Sequence, residues 1–240
     1  MTQVEALPRR DADVRNRLAI ALDVDDLVEA TRIAKEVRPW FGVAKVGLEL
    51  YSAAGPDVVG ALSDLGFDVF CDLKLHDIPT TVGRAAKVIG SLGASYLNFH
   101  AQGGVAMLTA GVDGFLAGAA DAGLPAPVPL AVTILTSDDG APAHILPKRV
   151  QLALESGCKG IVCAADDVHE AKQYGPRLTA VVPGIRPTGT PAHDQARSST
   201  PERALASGAD VLVVGRAVTH AEDPRAAAAS LAAVVAGAIS

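Results

Sequence analysis

Gly66-Phe67-Asp68-Val69-Phe70-Cys71-Asp72-Leu73-Lys74-Leu75-His76-Asp77-Ile78-Pro79-Thr80 spans one complete passage from helix end through strand to helix start. The leading glycine is a helix-terminating signal. The run at 68–73 is rich in β-formers and apolar on both faces, the pattern of a buried parallel strand. Charges crowd its C-terminal end, and Ile78-Pro79 turns the chain into a helical pattern over 80–92. Proline suits the first turn of a helix, where its missing N–H costs nothing.

The same passage recurs outward in both directions. Further strand-like runs lie at 18–22, 42–46, 95–99, 128–135, 160–163, 180–182 and 210–214. Helical spacing marks 27–37, 56–65, 105–122, 148–156 and 201–207, and 224–239 reads as a closing helix. About eight βα units in 240 residues fit a single (β/α)8 TIM barrel of the α/β class. An open doubly wound sheet would carry GxGxxG after its first strand, but here that strand runs into Ala21-Leu22-Asp23-Val24. Residues 1–16 read as a loose N-terminal arm ahead of one catalytic domain at 17–240.

Composition narrows the function classes. With 49% hydrophobic and 20% charged residues the chain is globular, not disordered. Twenty-one basic against 27 acidic residues leave a net charge of −6, which argues against nucleic acid as a partner. Three cysteines without CxxC spacing fit a reducing, cytoplasmic setting rather than a disulfide or zinc framework. The apolar stretch at 226–239 is too short to span a bilayer, so no membrane partner is expected.

A TIM barrel does its chemistry at the C-terminal ends of its strands, and the unusual residues fall there. They are Asp23, Lys45, the Asp72/Lys74/Asp77 group, Asn98-Phe99-His100, Thr136-Ser137, Pro183-Gly184-Ile185-Arg186 and Gly215-Arg216. A charge inside an apolar run is costly unless paired, so Lys45 with Asp23 and Lys74 with Asp72 are expected ion pairs. Two residues apart on a strand, Asp72 and Lys74 share a face, while Cys71 points the other way into packing. Such a cluster could also be a structural network tying strands together. The Gly/Pro/Thr-rich stretch at 183–200 and Gly215-Arg216 follow strands seven and eight, where barrels hold phosphate. The length of that stretch suggests a lid. His100 reads as a packing or supporting residue. His76, His144, His169, His193 and His220 have no metal-ligand spacing and read as solvated or structural.

The blocks Leu22-Asp23, Ala44-Lys45-Val46-Gly47, the run from Asp72 to Val82, Thr136-Ser137, Pro183-Gly184-Ile185-Arg186-Pro187, Asp194-Gln195 and Val214-Gly215-Arg216 carry a resemblance. In order and spacing the chain resembles the bacterial orotidine 5′-phosphate decarboxylases over nearly its whole length. It departs at Leu75, where Phe is frequent, and at Thr80, where Asn is frequent, and neither change removes a charge.

The resemblance implies a lyase without metal or cofactor that converts the nucleotide orotidine 5′-monophosphate to UMP and CO2. It implies that Lys74 protonates C6 and that Asp72 crowds the departing carboxylate, within an array of Lys45, Asp72, Lys74 and Asp77. Asp23, Lys45, Asp77 and Thr81 would hold the ribose, and Thr136 the pyrimidine edge. Arg186, Gln195, Gly215 and Arg216 would grip the phosphate, with Ile78 and Pro183 completing the binding set. Asp77 and Thr81 would reach the partner's site in a homodimer. Two rivals stand beside this reading. One is a Mg2+-dependent sugar-phosphate decarboxylase or aldolase of the same superfamily, similar in DxKxxD but with a carboxylate in place of Lys45. The other is a non-catalytic phosphate-binding barrel.

Overall fold

The computed structural model describes residues 9–138, 140–187 and 197–239. Its strands are β1 (Leu18–Leu22), β2 (Val43–Val46), β3 (Asp68–Leu75), β4 (Tyr96–His100), β5 (Val128–Val132), β6 (Gly160–Val162), β7 (Thr179–Val182) and β8 (Val211–Val214). Each pairs in parallel with its neighbours in chain order, and β8 returns to β1, so the sheet closes into the expected barrel. Around it lie α1 (Arg9–Asn16), α2 (Leu27–Val37), α3 (Leu48–Ala54), α4 (Asp57–Ser63), α5 (Pro79–Ser91), α6 (Gly104–Asp121), α7 (Ile145–Glu155), α8 (Ala165–Tyr174), α9 (Pro201–Ala206), α10 (Arg216–Thr219) and α11 (Pro224–Ala238).

The two-residue period of the strands sorts the core into two shells. Ala19, Ala21, Val43, Phe70, Leu130, Val132, Val181, Val211 and Val213 fill the barrel interior. Their alternates, among them Ile20, Leu22, Ala44, Val46, Cys71, Leu97 and Phe99, pack outward against the helices. Continued upward, the inward set of β1 to β4 arrives at Asp23, Lys45, Asp72 and Asn98. The floor of the site is therefore apolar and its top layer polar.

Several expectations are corrected. The loose arm does not extend over residues 9–16, which form α1. Val14 is buried there, and Arg15 donates to the carbonyls of Arg38 and Phe41. Strand five ends at Val132 rather than 135, because Thr133 turns its hydroxyl to the Val162 carbonyl and Arg149 of α7 takes the Thr133 carbonyl. Helices α3, α8 and α10 had no expectation; each is short, and packing on the barrel decides them more than propensity. Among the described residues, one segment, Ala101–Asp121, is long and apolar enough by length and composition to cross a membrane. Here it packs as a barrel helix, with Met107, Leu108, Val112 and Phe115 buried, and Gly114 and Gly118 pressed against backbone carbonyls of α5.

Candidate active site

A cavity of about 780 Å3 opens at the C-terminal end of the strands. Asp23, Lys45, Asp72 and Lys74 line one side of it, Thr136 another, and Pro183, Arg186, Gly215 and Arg216 the side after β7 and β8. Nine of the residues singled out from sequence thus converge on one space. Ile134, Val162 and Val213 supply apolar wall between them.

The four charges alternate in sign. Lys45 Nζ lies 2.9 Å from Asp23 Oδ1 and 3.5 Å from Asp72 Oδ2. Asp72 Oδ1 accepts from Lys74 Nζ at 2.6 Å. Both expected pairs form, and the Lys45–Asp72 contact links them into one chain of charges. Lys45 is buried, while Asp23 at the rim is 57% exposed. Burial pushes the Asp72 carboxyl up, but Lys45, then Lys74, and hydrogen bonds from Lys74 and Asn98 outweigh it and hold it below the usual carboxylate range. Gly47 gives the lysine room, since a Cβ there would stand 3.1 Å from Asp23 Oδ1 and 3.2 Å from Lys45 Nζ.

Asp72 and Lys74 meet, but not by simple strand alternation. The β3–β4 register shifts between Cys71 and Leu75, and Lys74 takes a left-handed φ of 51°. Few non-glycine residues occupy that region. The Lys74 backbone N–H donates instead to Asn98 Oδ1 at 2.7 Å, and Asn98 Nδ2 donates to Asp72 Oδ1 at 2.7 Å. The sequence places Asn98 at the end of strand four but assigns it no role. The signal was available, since a lone amide inside the buried run Leu97-Asn98-Phe99 needs partners as much as Lys45 does.

Asp77, Ile78 and Thr81 do not join the cavity of their own chain; all three are exposed, and Asp77 Oδ1 accepts from the adjacent Ile78 N–H at 2.6 Å. Gln195, and the middle of the expected lid, lie outside the described residues. On either side of that stretch, Arg186 N donates to Ser199 O at 2.9 Å, and the Arg197 guanidinium pairs with Asp167 of α8. Gly184 turns the chain out of β7 with φ 78°. His220, read as solvated or structural, lines the cavity beyond Arg216. His100 does not line it; its ring stacks on His76 at 5.5 Å, and burial, then Arg149, His76 and Lys74, lower its pKa. Cys71 faces the outer shell, as expected, and burial pushes its thiol up to about 12.

Comparison with known proteins gives a consistent result. The family model described as orotidine 5′-phosphate decarboxylase / HUMPS family matches residues 16–231. The orotidine 5′-phosphate decarboxylase of Moorella thermoacetica is 40% identical over 233 residues, with 92% of each chain covered. That of Thermobifida fusca is 43% identical over 228 residues, covering 90% of this chain and 94% of the relative. The crystal structure of orotidine 5′-phosphate decarboxylase from Lactobacillus acidophilus superposes with a TM-score of 0.76 at 33% identity, covering 92% of this chain and 99% of that one.

Proposed function

The chain belongs to the orotidine 5′-phosphate decarboxylase / HUMPS family and decarboxylates orotidine 5′-monophosphate to UMP in pyrimidine biosynthesis, and from that premise we propose which of its residues carry the reaction. Loss of CO2 leaves an electron pair on C6 with no carbonyl placed to delocalise it. Lys74 donates its ammonium proton to C6, becoming a neutral amine that solvent reprotonates. A cation already held at that carbon stabilises the charge as it develops. Asp72 lies beside the departing carboxylate and keeps Lys74 in place. The observation that carries this reading is the alternating Asp23–Lys45–Asp72–Lys74 array along one wall of the cavity.

Asp23 and Lys45 take the ribose, and Thr136 the pyrimidine edge. Arg186, Gln195, Gly215 and Arg216 hold the phosphate, and Pro183 completes the binding set. Binding energy from ribose and phosphate, remote from C6, holds the reacting groups together. The reaction uses no metal. The support is Lys45, whose ammonium stands between Asp23 and Asp72, so a divalent ion on those carboxylates would meet a fixed positive charge. That also disfavours the sugar-phosphate rival.

The working unit is a cytoplasmic homodimer in which Asp77 and Thr81 complete the partner's site. Its support is the exposure of these two residues away from their own cavity, and three buried free thiols that suit a reducing compartment. The test is to follow the pyrimidine absorbance of orotidine 5′-monophosphate with pure protein, with and without exhaustive chelation. Turnover should persist after chelation; loss restored by Mg2+ would overturn the metal-free reading. Lys74→Ala should remove essentially all kcat while UMP still binds, and a rate within about tenfold of the parent would rule out Lys74 as donor.

A further inference from the structure

We propose that Asn98 is a positioning residue for this decarboxylation, holding both the backbone of Lys74 and the carboxylate of Asp72 through its one side-chain amide. The proposal rests on the assignment of Lys74 as proton donor. Asn98 is fully buried on β4, on the inward face it shares with Tyr96. It does not line the cavity, so it acts through its neighbours.

The amide orientation follows from chemistry. A backbone N–H only donates, so the group facing Lys74 N at 2.7 Å must be Oδ1, which leaves the Nδ2 donors for Asp72 Oδ1 at 2.7 Å. Both bonds replace something the strand pairing cannot supply. The register shift after Cys71 takes the Lys74 N–H out of the β3–β4 ladder, where a buried unpaired donor would be costly. Asn98 receives that N–H and braces a lysine whose φ of 51° needs external support. At the other end it shares Asp72 Oδ1 with Lys74 Nζ, which lies 2.6 Å away. When Lys74 gives up its proton, the carboxylate loses its closest cation, and the Asn98 N–H remains in place to hold it.

The groups around Asn98 that can ionise are Asp72 and Lys74 in contact, Lys45 behind Asp72, and Tyr96 and His100 two residues away on its own strand. Asn98→Ala removes both bonds. Misplacing a reacting group by about an ångström costs on the order of 10²-fold, so kcat should fall by about that factor while UMP affinity stays within about threefold. Asn98→Asp keeps the shape and the acceptor for Lys74 N but sets a second carboxylate against Asp72. Two carboxylates this close resist ionising together, so they share one proton until the pH is well above the ordinary carboxylate range. The rate of this variant relative to the parent should therefore be highest near about pH 5 and fall steadily toward about pH 8 as the shared proton is lost.

A purely structural amide would lower melting temperature and UMP affinity together and give a pH-independent rate ratio. That result, or a kcat for Asn98→Ala within about threefold of the parent, overturns the proposal. Lys74→Ala, assayed alongside, separates the two levels. If it stays active the donor assignment falls. If it is inactive while both Asn98 variants behave as the parent, only the role of Asn98 falls.

Discussion

Replacing Asp72 with Asn removes the anion shared by Lys45 and Lys74, and the structure sets the scale of the loss. Lys74 is 35% exposed, so water screens much of its pairing and the larger part of the loss falls on Lys45. Lys45 has a side chain only 10% exposed, and its Nζ lies 3.5 Å from Asp72. At an effective dielectric near 20 that contact is worth about 5 kcal/mol before desolvation is subtracted. The remaining pair with half-exposed Asp23 returns part of it. Breaking a buried pair from one side leaves a net loss of about 3 kcal/mol. For a chain this long the melting temperature should drop by roughly 6–12 °C at neutral pH.

The pH dependence adds a second check. In the folded protein Asp72 ionises below the ordinary range, whereas in the unfolded chain it returns to about 3.9. Between the two values the unfolded chain binds more protons. The stability that Asp72 contributes is thus complete above about pH 4 and is lost as pH falls through its folded value. The variant has no such loss, so its deficit against the parent should shrink with acidification. Urea melts of both proteins from neutral pH to about pH 3 measure this directly. A variant as stable as the parent at neutral pH, or a deficit that does not change with acid, refutes the picture of Asp72 as the balancing charge.

Three other outcomes are expected. Arg216→Ala should weaken UMP binding by about 1.5–3 kcal/mol and leave uridine, which lacks phosphate, nearly unaffected, as titration calorimetry would register; equal losses would mean that Arg216 supports the fold instead. Lys74→Ala and Asp77→Ala homodimers should both be nearly inactive, but co-refolded in equal amounts they should recover roughly a quarter of parent activity, because heterodimers concentrate both defects in one site. Verified heterodimers that stay inactive would show Asp77 serving its own subunit. The thiols of Cys71 and Cys163, pushed up to about 12 by burial, and of Cys158, pushed up to about 11, should resist a disulfide reagent until the protein is denatured. Rapid labelling of the native protein would contradict their burial.

Much of this molecule was readable from residue order alone. Eight apolar runs, each followed by a helical pattern or a turn, imply a barrel because parallel strands buried on both faces have few other ways to close. The two-residue period then carries Asp23, Lys45 and Asp72 to the top of the same interior that Ala21, Val43 and Phe70 fill below. Periodicity and charge cost are local properties, and local sequence suffices to state them.

What local sequence could not state depends on contacts between distant segments. The register shift in β3 and the left-handed Lys74 exist because β4 presents Asn98, 24 residues on, to receive the displaced N–H. Helix α1, too polar to promise order, is held by Arg15 on the carbonyls of Arg38 and Phe41, 23 and 26 residues away. Asp77 and Thr81 sit four and eight residues beyond Leu73, yet the chain's turn into α5 aims them away from the cavity that Asp72 and Lys74 enter. Pairing and direction in these places are settled by which donors and acceptors meet across the fold, and only the tertiary structure brings them together.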